Sequence, residues 1–250
     1  MSSSGSLPGA AAFVARLNRE RRRYYVVTND ASKLPETAAA RYRGFGLPLD
    51  AECIVTSGSL LAPYFAAEKL AGAATCVLGP ADSVRYVEMA GGRVVAADST
   101  FDVLVVADES GFPFLDTVDD AFTTLVRAID AGRSVRLLLP NPDLVYPRGD
   151  GGFGFASGTV GRMFEEALAA RYPRRKDLRF TRLGKPYPAI FAEALRRSGT
   201  RNMVMIGDQL ETDIRGARDF GLDAALVEGG VTASSGTDEI RPTWRLRSLG

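Results

Sequence analysis

Short apolar runs alternate along the chain with longer amphipathic stretches. The runs are YYVVTN (24–29), ECIVTS (52–57), ATCVLG (74–79), RVVAA (93–97), FDVLVVAD (101–108), VRLLLPN (135–141), MVMIGD (203–208) and DAALVEGG (223–230). Each is close to continuously apolar rather than strictly alternating, which fits parallel strands covered on both faces. Between them lie PGAAAFVARLNRERR, SLLAPYFAAEKLAG, DDAFTTLVRAIDAG, TVGRMFEEALAARY and PAIFAEALRRSG. These repeat apolar positions at helical spacing, and several stop at glycine, as helix C-termini do. Pro8 suits an early helix position. The order predicts an α/β fold on a mainly parallel sheet. Two breaks interrupt it. Residues 141–158 read as a long Gly/Pro-rich loop, and the basic stretch 171–188 marks a boundary. The end, 232–250, reads as surface with Trp244 as its one anchor.

Composition narrows the chemistry. The 250 residues suffice for one large domain or two smaller ones, and 46% hydrophobic content can build sizeable cores. A formal net charge of +1 makes a weak electrostatic case for nucleic acid. The basic runs RLNRERRRYY and RYPRRKDLRFTR therefore read as solvated faces. No apolar run approaches the roughly 20 residues that span a bilayer. The start, MSSSGSLPGA, lacks the charged and apolar regions of a secretory signal. A soluble, cytoplasmic protein without membrane or nucleic-acid partners is expected. Cys53 and Cys76 each lie in an apolar stretch and read as buried free thiols.

Histidine is absent. That removes Ser-His-Asp and Cys-His catalysis and histidine-based zinc sites. Carboxylates, lysine, arginine, hydroxyls, backbone amides or a hard metal with oxygen ligands remain. A dinucleotide site is disfavoured. No GxGxxG follows the first strand, and the glycines of GDGGFGFASG sit in a loop.

Open parallel sheets bind ligands beyond the carboxyl ends of their strands. Thr28, Asn29 and Asp30 end one run, and Asp208 ends another with Asp213 five residues on. Gly207 allows close backbone approach before Asp208. Asp208 is either a metal ligand or, with Thr212, a helix cap. Asp213 could hold a water or orient an amide or lysine. Lys185, in RLGKPYPAIF, either neutralises phosphate oxygens near helix amides or is an exposed turn lysine. Thr28 and Asn29 taken alone could simply end a strand.

The order of these pieces is more specific than any one of them. Apolar strand–TN, a long insert, GKP–helix, then apolar strand–GDxxxxD resembles the haloacid dehalogenase-like (HAD) hydrolase superfamily, in its branch of p-nitrophenyl-phosphate, phosphoglycolate and nucleotide phosphatases. LPGAAAFVARL, IVTSGSLLAPYF and NPDLVYP resemble further landmarks of that branch, so the likeness covers about residues 6 to 235. It implies a Rossmann-like parallel-sheet core, discontinuous over 1–71 and 180–250, with an α/β cap domain inserted at 72–179. It also implies a Mg2+-dependent phosphomonoester hydrolase acting on a small phosphorylated metabolite. Carried over by position, Thr28 and Asn29 bind phosphate, and Lys185 steadies the phosphate and nucleophile charge. Asp208 is a magnesium ligand, and Asp213 supports the metal shell or the lysine. Asn141 and Asp143 sit where the cap rejoins the core.

One part of the pattern is missing. The family begins with an apolar strand ending in DxD, whose first aspartate is the nucleophile and whose second is the general acid and base. Here the first acidic residue is Glu20, within a helical pattern. Three explanations stand: the strand lies upstream of a misassigned or truncated start; the chain is a non-catalytic HAD-like binding or interaction protein; or other groups do the chemistry. Losing a central strand would also leave open edges in the core sheet. Those edges, or the cap surface, are where two copies could pair as a homodimer.

Overall fold

The structure is a computed structural model that describes residues 7–149, 151–228 and 240–250. Along the chain run α1 (Ala10–Arg19), β1 (Val26–Thr28), α2 (Pro35–Gly44), β2 (Ile54–Thr56), α3 (Leu61–Ala67), β3 (Ala74–Leu78), α4 (Ala81–Met89) and β4 (Arg93–Val95). Then come β5 (Val103–Val106), α5 (Phe114–Asp130), β6 (Arg136–Leu139), β7 (Val145–Pro147), β8 (Phe153–Phe155), α6 (Ser157–Arg171) and β9 (Thr181–Arg182). Last are α7 (Pro188–Ser198), β10 (Val204–Gly207), α8 (Arg215–Asp219), β11 (Asp223–Val227) and β12 (Trp244–Leu246). All eight apolar runs contain strands.

Four sheets form. The largest is parallel, in the order β4-β3-β5-β6-β9. Its central strand β5 is buried throughout, as a near-continuous apolar run requires. Successive residues of β5 point to opposite faces. Val103 and Val105 join one core with Phe65, Tyr86 and Val87, and Leu104 and Val106 join another with Leu125 and Phe164. Two smaller parallel sheets, β1-β2 and β10-β11-β12, carry the remaining long-range pairings. No ladder joins β1 to β10 among the described residues. Neither strand is fully buried: β1 is half-buried throughout, and Val204 of β10 is 44% exposed.

Polar bonds tie β1 and β2 to the end of α7, and packing joins the two sheets. Tyr25 Oη donates to the Arg197 carbonyl at 2.9 Å, and Arg23 donates to the Ser198 carbonyl at 2.9 Å. Arg197, in turn, donates to the Ile54 carbonyl at 3.0 Å. The end of α7 thus ties the base of β1 to the base of β2. Val27, Val55, Met205 and Leu226 pack into one shared hydrophobic cluster.

Three local expectations change. The stretch 141–158 is not wholly loop, because β7 and β8 pair there as an antiparallel hairpin. Trp244 is not an anchor: it is 51% exposed and sits in β12, which pairs with β11. Helix α1 begins at Ala10, with Gly9 rather than Pro8 at its boundary, at φ 82°. Both cysteines are free. Cys76 is buried, and burial pushes its thiol up to about 12.

Candidate functional site

The carboxyl ends of β1 and β10 converge, and the residues just beyond them interlock. Asn29 follows β1 and is buried. Its amide nitrogen donates to Asp143 Oδ1 and to the Lys185 carbonyl, both at 2.9 Å. Its amide oxygen accepts from the Lys185 backbone N–H at 2.7 Å. The side chain of Asn29 thereby satisfies three bonds and clips the GKP segment onto the end of β1. Gly184 makes this approach possible, since a Cβ there would meet Asn29 Oδ1 and the Pro140 carbonyl, each at 2.6 Å. From the β2 side, Ser57 donates to the Asn29 carbonyl at 2.8 Å.

The lysine side chain continues the network. Lys185 Nζ donates to Asp213 Oδ1 at 2.6 Å, with only 13% and 5% of the two side chains exposed. The other oxygen, Asp213 Oδ2, accepts the Gln209 N–H at 3.2 Å. Burial alone would lower the Lys185 pKa. The charge and hydrogen bond of Asp213, helped by Asp143 and Asp208, outweigh it and raise the value. Gly207 lies directly against Asp213, where any Cβ would overlap the carboxylate. Close approach is therefore the reason for glycine at that position. A single π-type turn, Leu210–Ile214, holds Asp213 in place ahead of α8.

Lys185, Asn29 and Asp213 are thus joined by direct bonds, and Asp208 is buried at the tip of β10 near enough to act on the lysine charge. Thr28 ends β1, but its hydroxyl oxygen accepts the Asp30 N–H at 3.3 Å, the turn-closing bond open to it from sequence. Asp213 is bound to the lysine. The sequence assigned Asp143 only to the cap junction. The fold makes it part of the site: burial raises its pKa, against the Asn29 bond and the Lys185 charge. The acid in NPD, just past a strand end, is the signal that points to it.

Magnesium binds through one or two carboxylates together with waters and phosphate oxygens. Asp208 could supply one such oxygen ligand, and both Asp213 oxygens accept bonds within the protein. Among the described residues no group of three or more Cys, Asp or Glu side chains gathers as a metal site. The residues present therefore make one side of a magnesium site and not a whole one. What they place unaided at the strand tips is the buried positive charge of Lys185. No helix of the described residues is long and apolar enough to cross a membrane.

Comparison with known proteins bears on the fold and the family. The haloacid dehalogenase-like hydrolase family model matches residues 1–93, and the HAD-hydrolase-like model matches 182–250. Dihydroxyacetone phosphatase of Corynebacterium glutamicum is 28% identical over 97% of this chain and 83% of its own length. A Cytophaga hutchinsonii structure, a possible sugar phosphatase of the HAD superfamily, is 30% identical. It covers 98% of this chain and 88% of its own, with a TM-score of 0.81. The glycerol phosphate phosphatase of Mycobacterium tuberculosis, solved in complex with magnesium, is 26% identical over 99% of this chain and 71% of its own, with a TM-score of 0.79.

Proposed function

This chain belongs to the haloacid dehalogenase-like hydrolase superfamily, and on that footing we propose that it is a magnesium-dependent phosphomonoester hydrolase acting on a small phosphorylated metabolite. The observation that carries the reading is the bonded series Asn29–Lys185–Asp213 at the tips of β1 and β10, with Asp208 beside it. In this reading Lys185 and the neighbouring amides neutralise the phosphoryl oxygens, and that charge grows in value as phosphoryl transfer proceeds. Thr28 and Asn29 hold the phosphate, and Asp208 takes the magnesium. Asp213 fixes the lysine. The relatives named for dihydroxyacetone phosphate and glycerol phosphate point to a small leaving group.

The nucleophile and the general acid–base are not among these residues. The break between β1 and β10 supports placing them on a further apolar strand, paired with both edges and ending beside Lys185. The cap, residues 72–179, closes over that point. The five-stranded sheet from β3 to β9 lies largely within that insert, although β9 extends past 179 and the first family model runs on to 93. A second reading, a scaffold that binds phosphate without hydrolysing it, is favoured by the bonds that already engage Asp143 and Asp213.

Two measurements on a chain that carries such a strand separate these readings: p-nitrophenyl phosphate hydrolysis with and without magnesium, and calorimetric binding of inorganic phosphate. Magnesium-dependent hydrolysis that Asp208→Ala abolishes is the expected result for the enzyme. Phosphate binding without turnover selects the scaffold. Turnover unchanged in Asp208→Ala would reject the metal role of that residue.

A further inference from the structure

The proposed function leaves the basic run RLNRERRRYY, at the end of α1, without a role. Its side chains are largely exposed, yet the end of the run lines a cavity of about 760 Å³ together with the segment that leads into β2. Tyr24 and Tyr25 belong to the lining and directly precede β1, so the cavity lies at the amino end of that strand. The whole of β1 separates it from Asn29 and the phosphate site at the strand tips. The volume falls within the roughly 300–1,000 Å³ of small-molecule sites.

Hydrogen bonds join the two walls and pre-form the cavity. Asn18 donates through Nδ2 to the Pro48 carbonyl at 2.9 Å and accepts from Tyr24 Oη at 2.9 Å. Arg43, on α2, donates to the Leu49 carbonyl at 3.1 Å. The Arg21 N–H donates to the Asn18 carbonyl at 3.1 Å and the Arg22 N–H to the Leu17 carbonyl at 2.9 Å, which closes the helix end with Arg21 at φ 53°. That left-handed position favours glycine, and here it holds an arginine of the cavity lining.

Four guanidinium groups line the cavity, those of Arg21, Arg22, Arg23 and Arg43, against two carboxylates, Asp50 and Glu52. Little of the positive charge is engaged within the protein. Among the described residues the Arg21 guanidinium has neither a hydrogen bond nor an ion pair. Arg22 meets only Glu20, at 3.6 Å with 70% of the arginine side chain exposed, a pair that contributes little in water. Arg23 and Arg43 each give one nitrogen to a carbonyl, which leaves most of their donors for a ligand. A guanidinium fork matches phosphate oxygens two at a time. A single phosphate is smaller than this cavity and engages one or two forks, whereas linked phosphates spread across several. Asp50 and Glu52, both on the segment before β2, would repel a continuous nucleic-acid backbone and accept from hydroxyl or amino groups.

We propose that this cavity is a binding site for a small molecule with linked phosphate groups, either a free oligophosphate or a nucleoside polyphosphate. The site is separate from the strand tips and does not depend on the hydrolase reading.

Calorimetry on the full chain in magnesium-free buffer tests it, at about 0.15 M ionic strength, where charges more than about 8 Å apart are largely screened. The probes are inorganic tripolyphosphate, adenosine triphosphate and orthophosphate. Tripolyphosphate is expected to bind, and orthophosphate to bind more weakly. Arg21→Gln should weaken tripolyphosphate about tenfold, and Asp50→Asn should tighten it about threefold. Arg19→Gln, which changes an exposed arginine of the same run outside the cavity lining, should leave the affinity unchanged. Opposite shifts from two neutralising changes are not what damage to the fold would give. Adenosine triphosphate bound more tightly than tripolyphosphate assigns the site to nucleoside polyphosphates; equal or weaker binding assigns it to the phosphate chain alone. No binding of tripolyphosphate, an affinity that Arg21→Gln does not move, or an equal loss in Arg19→Gln overturns the site. So does a single-stranded oligonucleotide that binds more tightly than tripolyphosphate, which would make the basic run a nucleic-acid surface.

Discussion

Replacing Lys185 by methionine keeps most of the side-chain volume and removes the charge. Asp213 would then remain nearly enclosed, holding a single hydrogen bond from the Gln209 N–H. Breaking a buried pair in this way costs about 3–5 kcal/mol, because the remaining charge is desolvated without compensation. The reverse change, Asp213→Asn, is expected to cost less. Lys185 would still feel Asp143 and Asp208, which already raise its pKa alongside Asp213. Asparagine would still accept from Gln209. The double variant should be more stable than the two single losses added together, by roughly 1–2 kcal/mol of coupling. Urea unfolding at pH 7 reads all four proteins. That pH is well chosen, since a lysine raised above its usual 10.5 contributes its full stabilisation below 10.5 and loses it only as pH climbs through the folded value. A loss below about 1 kcal/mol for Lys185→Met, or strict additivity in the cycle, would refute the view that this pair is buried and coupled.

Gly207→Ala should destabilise by about 1–3 kcal/mol, because the new methyl group must displace the Asp213 carboxylate; a melting temperature equal to wild type would show that the contact can relax freely. Glu109→Gln should raise stability above pH 7 by about 1–2 kcal/mol, a figure reduced from the full shift for solvent screening. The sign follows from a carboxyl raised from 4.5 to about 7, chiefly by burial. The folded state holds the proton more tightly, so this group weakens the fold as pH rises between those values, and glutamine removes the loss. Thermal melts at pH 4 and pH 8 check this, and an equal gain at both would contradict it.

The parts of the fold legible in the sequence were those where one physical cause dominates. Valine-rich runs became strands because a parallel strand buried on both faces has no polar positions to show. The hairpin β7–β8 was hidden for the opposite reason. Val145, Phe153 and Phe155 are apolar yet exposed, among glycines and prolines that signal a loop. Asn29, Lys185, Asp208 and Asp213 could be picked out singly because each follows a strand or precedes a helix. Their pairing could not. Asn29 and Asp143 are 114 residues apart, and only the fold makes that separation irrelevant.

An apolar run reports on the faces of a strand and says nothing of its edges. The separation of β1 and β10 into two sheets was legible only from the missing strand that ends in DxD, not from the runs themselves. What spans the break is polar at both ends: Tyr25 and Arg23 bonded to the end of α7 at the base, and Asn29 bonded to Lys185 at the tip. A ladder of backbone bonds would tolerate the loss of any one side chain, whereas these clasps do not. The residues that would bind phosphate are therefore also residues that hold the two parts of the core in register. Substitution at Asn29 should for that reason disturb binding and stability together, and so should substitution at Lys185, whose ammonium carries the link on to Asp213.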